Sequence, residues 1–291
     1  VRATIKQRAD LTFKHNRKRG RHGWLRLTPA YSMKLVRKLI QQHPNAQRIL
    51  DPFSGTGTTP LAAAEYGHVG VSLDINPFLV WLGNVKAAHY SEDVLVRTQD
   101  IGISAVQGVL QASVAPCTPP PIKNIERWWS PDSLDFLCRL KTAIDEQCND
   151  RPVYDLLLVV LCRTLIALSN AAFNHQSMSF GDNGSSGTGQ LSLLAASSRH
   201  ERQFIRDLRF VLEAASDNPA GNAIVLLGDS RDLAVLDAHT VEPFDLLITS
   251  PPYPNRMSYI RELRPYMYWL SYLVEAREAG ELDWDAIGGT W

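Results

Sequence analysis

The sequence lacks the features of a membrane or secreted protein. No apolar run approaches the roughly 20 residues that a bilayer-spanning helix requires, and the basic N-terminus has no apolar core of a signal peptide. Cysteine is scarce. Cys117, Cys138, Cys148 and Cys162 form no C-x-x-C pair, which argues against both a zinc site and a disulfide framework and fits a reducing, cytoplasmic setting. Neither sign of charge is in excess, with 30 Lys+Arg against 30 Asp+Glu. A neutral chain that binds a polyanion must therefore concentrate its basic residues in one place.

Such a concentration exists. Nine basic residues (Arg2, Lys6, Arg8, Lys14, Arg17, Lys18, Arg19, Arg21 and Arg26) stand in the first 26 positions against one acid, Asp10. Residues 1–27 therefore read as a basic segment, suited to phosphate contacts or simply to solvent. The remaining composition, 45% hydrophobic and 21% charged over 291 residues, is that of a globular chain able to bury a sizeable core. The first residue is Val1, and the chain stops at Trp291 just after Gly288 and Gly289, so both ends read as cut.

Residues 28–42 predict an amphipathic helix capped by Thr28 and opened by Pro29. A short strand at 47–51 is followed by a glycine turn and a helix over 58–66. A second strand at 68–74 ends in Asp74, and Asn76-Pro77 opens the next helix. This β-α-β-α order implies an α/β fold with a parallel sheet covered by helices. From 91 to 222 strand signals vanish. Pro116 and Pro119-Pro120-Pro121 read as a rigid linker, with helices expected over 131–147, 152–172 and 191–215 and a Gly/Ser-rich stretch at 181–189. Strands return at 223–227 and 244–249, and an aromatic helix is expected over 258–276.

Two places carry chemistry. In Asp51-Pro52-Phe53-Ser54-Gly55-Thr56-Gly57-Thr58 the glycines lie between a strand and a helix, where missing side chains let a ligand approach the backbone. The turn has no lysine of a phosphate loop and no third glycine of a dinucleotide fingerprint. Asp74, at the end of the next strand, is placed to accept from a ribose diol or to cap a helix. Asp229 ends a third strand at the same edge and suits an exocyclic amine. Three strand-end carboxylates fit an adenosine-type cofactor bearing an amino-acid cation and would repel a diphosphate.

The second place is Ser250-Pro251-Pro252-Tyr253, after the strand at 244–249. Two prolines without N–H groups cannot extend a ladder, so their carbonyls are free to face a cleft. The Ser250 hydroxyl and the Pro251 carbonyl can accept both hydrogens of a planar amine. That would localise its lone pair toward an electrophile, while Tyr253 offers a face for stacking.

Together, DPFSGTGTT and TSPPY resemble the S-adenosylmethionine-dependent amino-methyltransferases of DNA, with GVSLDINP (70–77) similar to their ribose strand and HGWLRLTPAYS (22–32) loosely similar to a preceding cofactor motif. The matches cover about forty residues. The resemblance implies a Rossmann-like class I methyltransferase sheet with a mainly helical insertion. Residues 28–90 and 223–291 would form the catalytic domain and 91–222 the insertion, a candidate target-recognition region. It implies S-adenosylmethionine held by Asp51, Phe53, Ser54, Gly55, Gly57, Thr58, Asp74, Ile75 and Asp229, and a flipped base of double-stranded DNA held by Ser250, Pro251, Pro252 and Tyr253. Serine at the head of the tetrapeptide leans toward N4 of cytosine rather than N6 of adenine; an RNA base is a further alternative. No metal and no covalent cysteine are required, and Cys117 in its linker reads as inert.

One departure is that the insertion precedes the strand ending in Asp229, whereas the similar class more often places it after. Only four strands are legible against the seven of that family's sheet. This implies either a fragment, with a sheet incomplete toward the C-terminus, or a sheet completed by a second polypeptide, and with it weak or absent activity of this chain alone; the rival of another class is an inactive module that only binds DNA. A cognate restriction endonuclease is a further partner implied by the resemblance. Trp128 and Trp129 beside Arg127, and Asn170, Asn174, His175 and Gln176, are candidate DNA contacts, with helix packing the competing role of the tryptophans.

Overall fold

The structure, a computed structural model, describes residues 9–25, 30–172, 179–180, 190–237, 239, 242–252 and 258–287. In chain order the elements are α1 (Phe13–Asn16), α2 (Met33–Gln42), β1 (Arg48–Asp51), α3 (Thr58–Glu65), β2 (Val69–Asp74), α4 (Pro77–Ala87), α5 (Glu92–Leu110), α6 (Ile125–Trp128), α7 (Pro131–Gln147), α8 (Arg151–Ala167), β3 (Ala171–Ala172), β4 (Ser179–Phe180), α9 (Gln190–Ala215), β5 (Asn222–Leu227), α10 (Ala234–Asp237), β6 (Leu246–Leu247), α11 (Arg264–Trp269) and α12 (Ala276–Asp285). They fall into two compact units. The first comprises Val1–His89, Asn218–Tyr259 and Glu281–Trp291; the second comprises Tyr90–Asp217 and Ile260–Gly280. The stretch 260–280, read from sequence as part of the catalytic domain, thus groups with the helical unit.

The first unit holds a parallel four-stranded sheet in the order β5-β2-β1-β6, a mixed α/β, Rossmann-like arrangement. Alternation along β1 explains its two-sided burial. Ile49 packs with Val36 and Ile40 of α2, Ala62 and Ala63 of α3, and Ile248. Leu50 turns to the opposite cluster with Val71, Leu73, Leu226 and Leu236. The chain steps outward from β1 to β2 to β5 and then returns to the other side of β1 with β6. That reversal is a topological switch point, the place where open α/β sheets take ligands beyond the carboxyl ends of their strands. Asp51 ends β1, and Thr249 and Ser250 follow β6.

Helix α2 begins later than its sequence implies. Ser32 caps it, accepting from the Lys34 N–H at 3.2 Å. Tyr31, just before, forms an antiparallel bridge with Thr12. Buried Asn16 binds both the Met33 N–H and the Tyr31 carbonyl at 2.9 Å, which fixes the start at Met33. Thr28 and Pro29 lie outside the described residues.

The described part of the basic segment is also more structured than a solvated tail. Phe13, Trp24 and Leu25 are buried. Arg21, 4% exposed, donates to the Lys86 carbonyl at 3.0 Å, to the Ala88 carbonyl and to Asn218 Oδ1 at 2.8 Å. Its charge thus caps the C-terminal end of α4, where unpaired carbonyls favour a cation. This corrects its reading as a phosphate contact. Lys14, Arg17, Lys18 and Arg19 remain exposed. Arg2, Lys6, Arg8 and Arg26 lie outside the described residues.

The second unit is built on α5, α7, α8 and α9, with α8 almost wholly buried between Val153 and Leu165. Helix α8 stops at Ala167 rather than near 172. The Ser169 hydroxyl turns back to the Ile166 carbonyl, the Asn170 N–H is taken by the Trp128 carbonyl, and Ala171–Ala172 pairs with Ser179–Phe180. The helix expected over 258–276 is short, Arg264–Trp269. It is closed by Ser271 at φ +59° with the Tyr272 N–H on the Met267 carbonyl. The Gly/Ser-rich stretch 181–189 lies outside the described residues. Among the described residues, no helix is long and apolar enough to cross a membrane.

Candidate active site

Four N–H groups of the turn after β1 have fixed acceptors. Asp51 Oδ1 accepts the Phe53 N–H at 3.0 Å, Leu73 O accepts the Ser54 N–H at 2.8 Å, and Asp74 Oδ2 accepts the Gly55 N–H at 2.8 Å. The Gly57 N–H closes the turn on the Ser54 carbonyl at 2.9 Å. Gly55 sits at φ +51° with open space where a side chain would project. Gly57, at φ +71°, lies 3.1 Å from the Gly83 backbone, measured from the Cβ it lacks. Left-handed backbone and close approach thus explain both glycines. Helix α3 then starts at Thr58, buried, with Thr56 and Thr58 hydroxyls 3.2 Å apart.

Asp51 is fully buried. Its Oδ1 accepts from the Thr249 hydroxyl at 2.7 Å and its Oδ2 from the Tyr31 hydroxyl at 3.0 Å; Tyr31 also hydrogen-bonds Thr59. The Thr59 hydroxyl in turn reaches the Ile248 carbonyl at 3.3 Å. The end of β1 and the residue just before Ser250-Pro251-Pro252 are therefore joined directly, so the two sequence motifs open at one place in the sheet. Burial pushes the Asp51 carboxyl up to about 6, against the pull of Thr249, the Phe53 N–H, Thr59 and Tyr31. Burial and the Asp51 charge likewise raise the Tyr31 phenol well above its ordinary value.

Asp74 is no helix cap. Asn76 fills that role, accepting from the Phe78 N–H at 3.0 Å. Asp74 instead ties two turns together, taking the Gly55 N–H on one oxygen and the Asn76 N–H, at 2.9 Å, on the other. Burial raises it to about 7, with the two N–H donors opposing and the Asp51 charge adding. No Lys or Arg pairs with either carboxylate among the described residues.

Asp229 differs. Its carboxylate faces Arg231, which donates from Nε at 2.8 Å and from its backbone N–H at 2.9 Å, and this pair lowers the Asp229 carboxyl. Its proposed amine contact therefore competes with an existing guanidinium. Phe53 and Ile75 are half-buried beside the turn, and Ser54 is 1% exposed with its hydroxyl unpartnered. Ser250 and Pro252 are half-buried and Pro251 exposed, whereas Tyr253 lies outside the described residues.

Several residues of this region were not singled out from sequence. Tyr31, Thr59 and Thr249 surround Asp51, and all three lie within the quoted motifs without having been named. Lys86 is 2% exposed and donates to the Thr56 carbonyl at 2.6 Å, bracing the glycine turn from α4. Burial lowers its ammonium to about 7, with Glu65 opposing. The signal was a lone lysine among the apolar positions Phe78, Leu82 and Val85. Glu65 sits in a further pair of contacts, 3.3 Å from His22 Nε2 and 2.8 Å from Arg37. Burial works to raise it, but those two neighbours hold it at about 2.

The tryptophan pair is structural. Trp129 is fully buried, donates to the Leu165 carbonyl at 2.7 Å and meets Trp269 edge-on at 5.7 Å; Trp128 stacks on it and is 8% exposed. Neither presents a ring to DNA, which removes both from the candidate contacts. Asn170 is held by the Arg127 and Trp128 carbonyls. Asn174, His175 and Gln176 lie outside the described residues.

No protein-family model matches the chain, and no solved structure matches it. The chain is 35% identical over 69 residues to the type II methyltransferase M.BsoBI of Geobacillus stearothermophilus. That stretch is 23% of this chain and 14% of the relative's own length.

Proposed function

We propose that the chain carries the active site of an S-adenosylmethionine-dependent DNA methyltransferase acting on the exocyclic N4 of cytosine. The observation that carries the reading is the Thr249–Asp51 hydrogen bond, which brings the glycine turn and the Ser-Pro-Pro corner together at the switch point of the sheet. The partial likeness to a type II methyltransferase supports it.

The residues present fit the cofactor. Asp51 and Asp74 are carboxylates in a poorly solvated place with no cationic partner among the described residues, and both are raised toward neutrality. A ligand that brings its own positive charge relieves that cost. S-Adenosylmethionine, when bound, supplies a methyl group on a positively charged sulfur. Asp51, Phe53, Ser54, Gly55, Gly57 and Thr58 would hold its amino-acid end, Asp74 and Ile75 the ribose, and Asp229 the adenine after yielding part of its contact with Arg231. Each Asp74 oxygen keeps a further lone pair for a hydroxyl beyond its backbone donor.

At the second motif the Ser250 hydroxyl and the Pro251 carbonyl accept the two amine hydrogens and hold the nitrogen lone pair out of the ring plane. The target base must leave the duplex to reach them, and stacking on Tyr253 offsets part of that cost, by roughly 1–3 kcal/mol. Positioning supplies much of the acceleration. The 91–222 segment would belong to target recognition.

The reading is tested by incubating the chain with methyl-labelled cofactor and duplex DNA of mixed sequence. Label on the DNA at a low rate is the expected result for this chain alone. A chain that binds the cofactor yet leaves every duplex unlabelled would favour a binding module without catalysis.

A further inference from the structure

We propose that the solvent face of α9 is a phosphate-binding surface for duplex DNA, formed by Arg199, Arg202, Arg206 and Arg209. This rests on the reading of the chain as a DNA-acting enzyme and names where the second unit would grip its substrate.

The four arginines recur at spacings of three, four and three residues and all are exposed. At about 100° per residue they occupy an arc of about 80°, and at about 1.5 Å per residue they extend over about 15 Å. The opposite face is the packed one. Phe204, Leu208, Val211 and Ala215 are buried there; of the helix's three acids, Asp207 turns inward to Arg163 of α8 at 3.0 Å and Glu201 is half-buried outside the arginine arc.

An ordinary solvated helix face interleaves signs, because like charges at three- and four-residue spacing repel. The rest of the second unit follows that rule. Arg97 pairs with Asp93, Arg139 with Asp135, Lys141 with Asp145 and Arg151 with Asp155, each four residues apart. None of the α9 arginines has an acidic partner among the described residues. Arg206 bonds only Gln203, and Glu213, one turn beyond Arg209 on the same face, pairs with none of them. Self-repulsion is thus concentrated on one face of one helix, and an external polyanion relieves it. Guanidinium groups fit phosphate oxygens two at a time, so an all-arginine stripe suits a phosphate backbone.

The test measures binding of the full chain to a fluorescent duplex between 50 and 200 mM salt. Each lost phosphate contact should reduce the slope of log affinity against log salt by about 0.9. Replacing all four arginines by glutamine should lower the slope by about 3.6, removing about a 150-fold salt-dependent loss over that range. Replacing them by lysine should retain it. The paired variant Arg202→Gln/Arg206→Gln should lower it by about 1.8, or about 12-fold, and serves if the quadruple variant folds poorly. Unchanged affinity for S-adenosylmethionine in each variant shows that the sheet unit is intact.

An unchanged slope in a glutamine variant that still binds cofactor overturns the proposal. So does arginine-dependent binding of polyglutamate without binding of DNA, which would make the stripe a surface for an acidic protein. A reduced slope alongside no methyl transfer by the unaltered chain upholds the DNA surface and defeats the enzymatic reading instead.

Discussion

Asp51→Asn is expected to weaken S-adenosylmethionine binding by about 100-fold at pH 8, equivalent to about 2.7 kcal/mol. Unit charges 4 Å apart gain about 4 kcal/mol at an effective dielectric of 20, so the expected loss is within what one carboxylate can supply. Asparagine is the cleaner test at this position than at Asp74. An amide carbonyl at Asp51 keeps the Phe53 N–H and the Thr249 hydroxyl on the Oδ1 side while its NH2 donates to the Tyr31 oxygen, whereas both Asp74 oxygens face backbone N–H donors that cannot reverse. The effect must also depend on pH. The Asp51 carboxyl is raised to about 6 and Asp74 to about 7, and a cationic ligand favours their ionised forms. Affinity of the unaltered chain should therefore rise as pH climbs through 6 and 7, with protons released on binding. The gap between the two proteins should shrink below pH 6, where Asp51 is protonated and resembles its amide. Calorimetry across pH 5.5 to 8 reads both effects, and a pH-independent gap would remove Asp51 from the cofactor's charge.

The second large effect is expected at the proline corner. Ser250→Ala should lower the rate of methyl transfer about 100-fold, in the range seen when a preorganised hydrogen-bonding group is removed from developing charge. Cofactor affinity should stay as it was, because Ser250 lies beyond the hydrogen bond that joins Thr249 to the turn. Tyr253→Ala should cost roughly 10- to 100-fold through lost stacking, and Tyr253→Phe should cost little because the ring remains. Single-turnover kinetics at saturating cofactor separate these outcomes from binding. An alanine variant at 250 with full activity would show that the amine is oriented by other groups.

Much of the sheet was legible in the chain. Strands β1, β2 and β5 lie within a residue of their sequence readings because short apolar runs there end in turn residues with a chemical reason to turn. Helices α3 and α7 were equally readable, since Gly57 precedes one and Ser130-Pro131 opens the other. What stayed hidden depends on contacts between distant residues. Arg21 looked like a free charge because its acceptors, the carbonyls ending α4, are 65 residues away or more. Trp129 looked like a possible base platform because its packing against Trp269 is invisible along the chain. The end of α11 at Ser271 carries no glycine, so the sequence held no stop signal for a left-handed residue there.

The same limit applied within the site. The motifs named Asp51 and Asp74 but not how they are held. The anchoring of Asp51 by Tyr31 and Thr249, and of the turn by Lys86, spans 20, 198 and 30 residues respectively. Asp229 was read as open to an amine because Arg231, two residues on, gives no sign in sequence that it folds back on the carboxylate.

The central claim is that the glycine turn and the proline corner make one site for transferring a methyl group to an amine of DNA. Mass spectrometry of nucleosides from DNA treated with the chain and S-adenosylmethionine tests it most directly. N4-methylcytosine, lost with Ser250→Ala, is the expected product. N6-methyladenine alone would contradict the choice of cytosine, and 5-methylcytosine, which requires attack through ring carbon, would contradict the site itself.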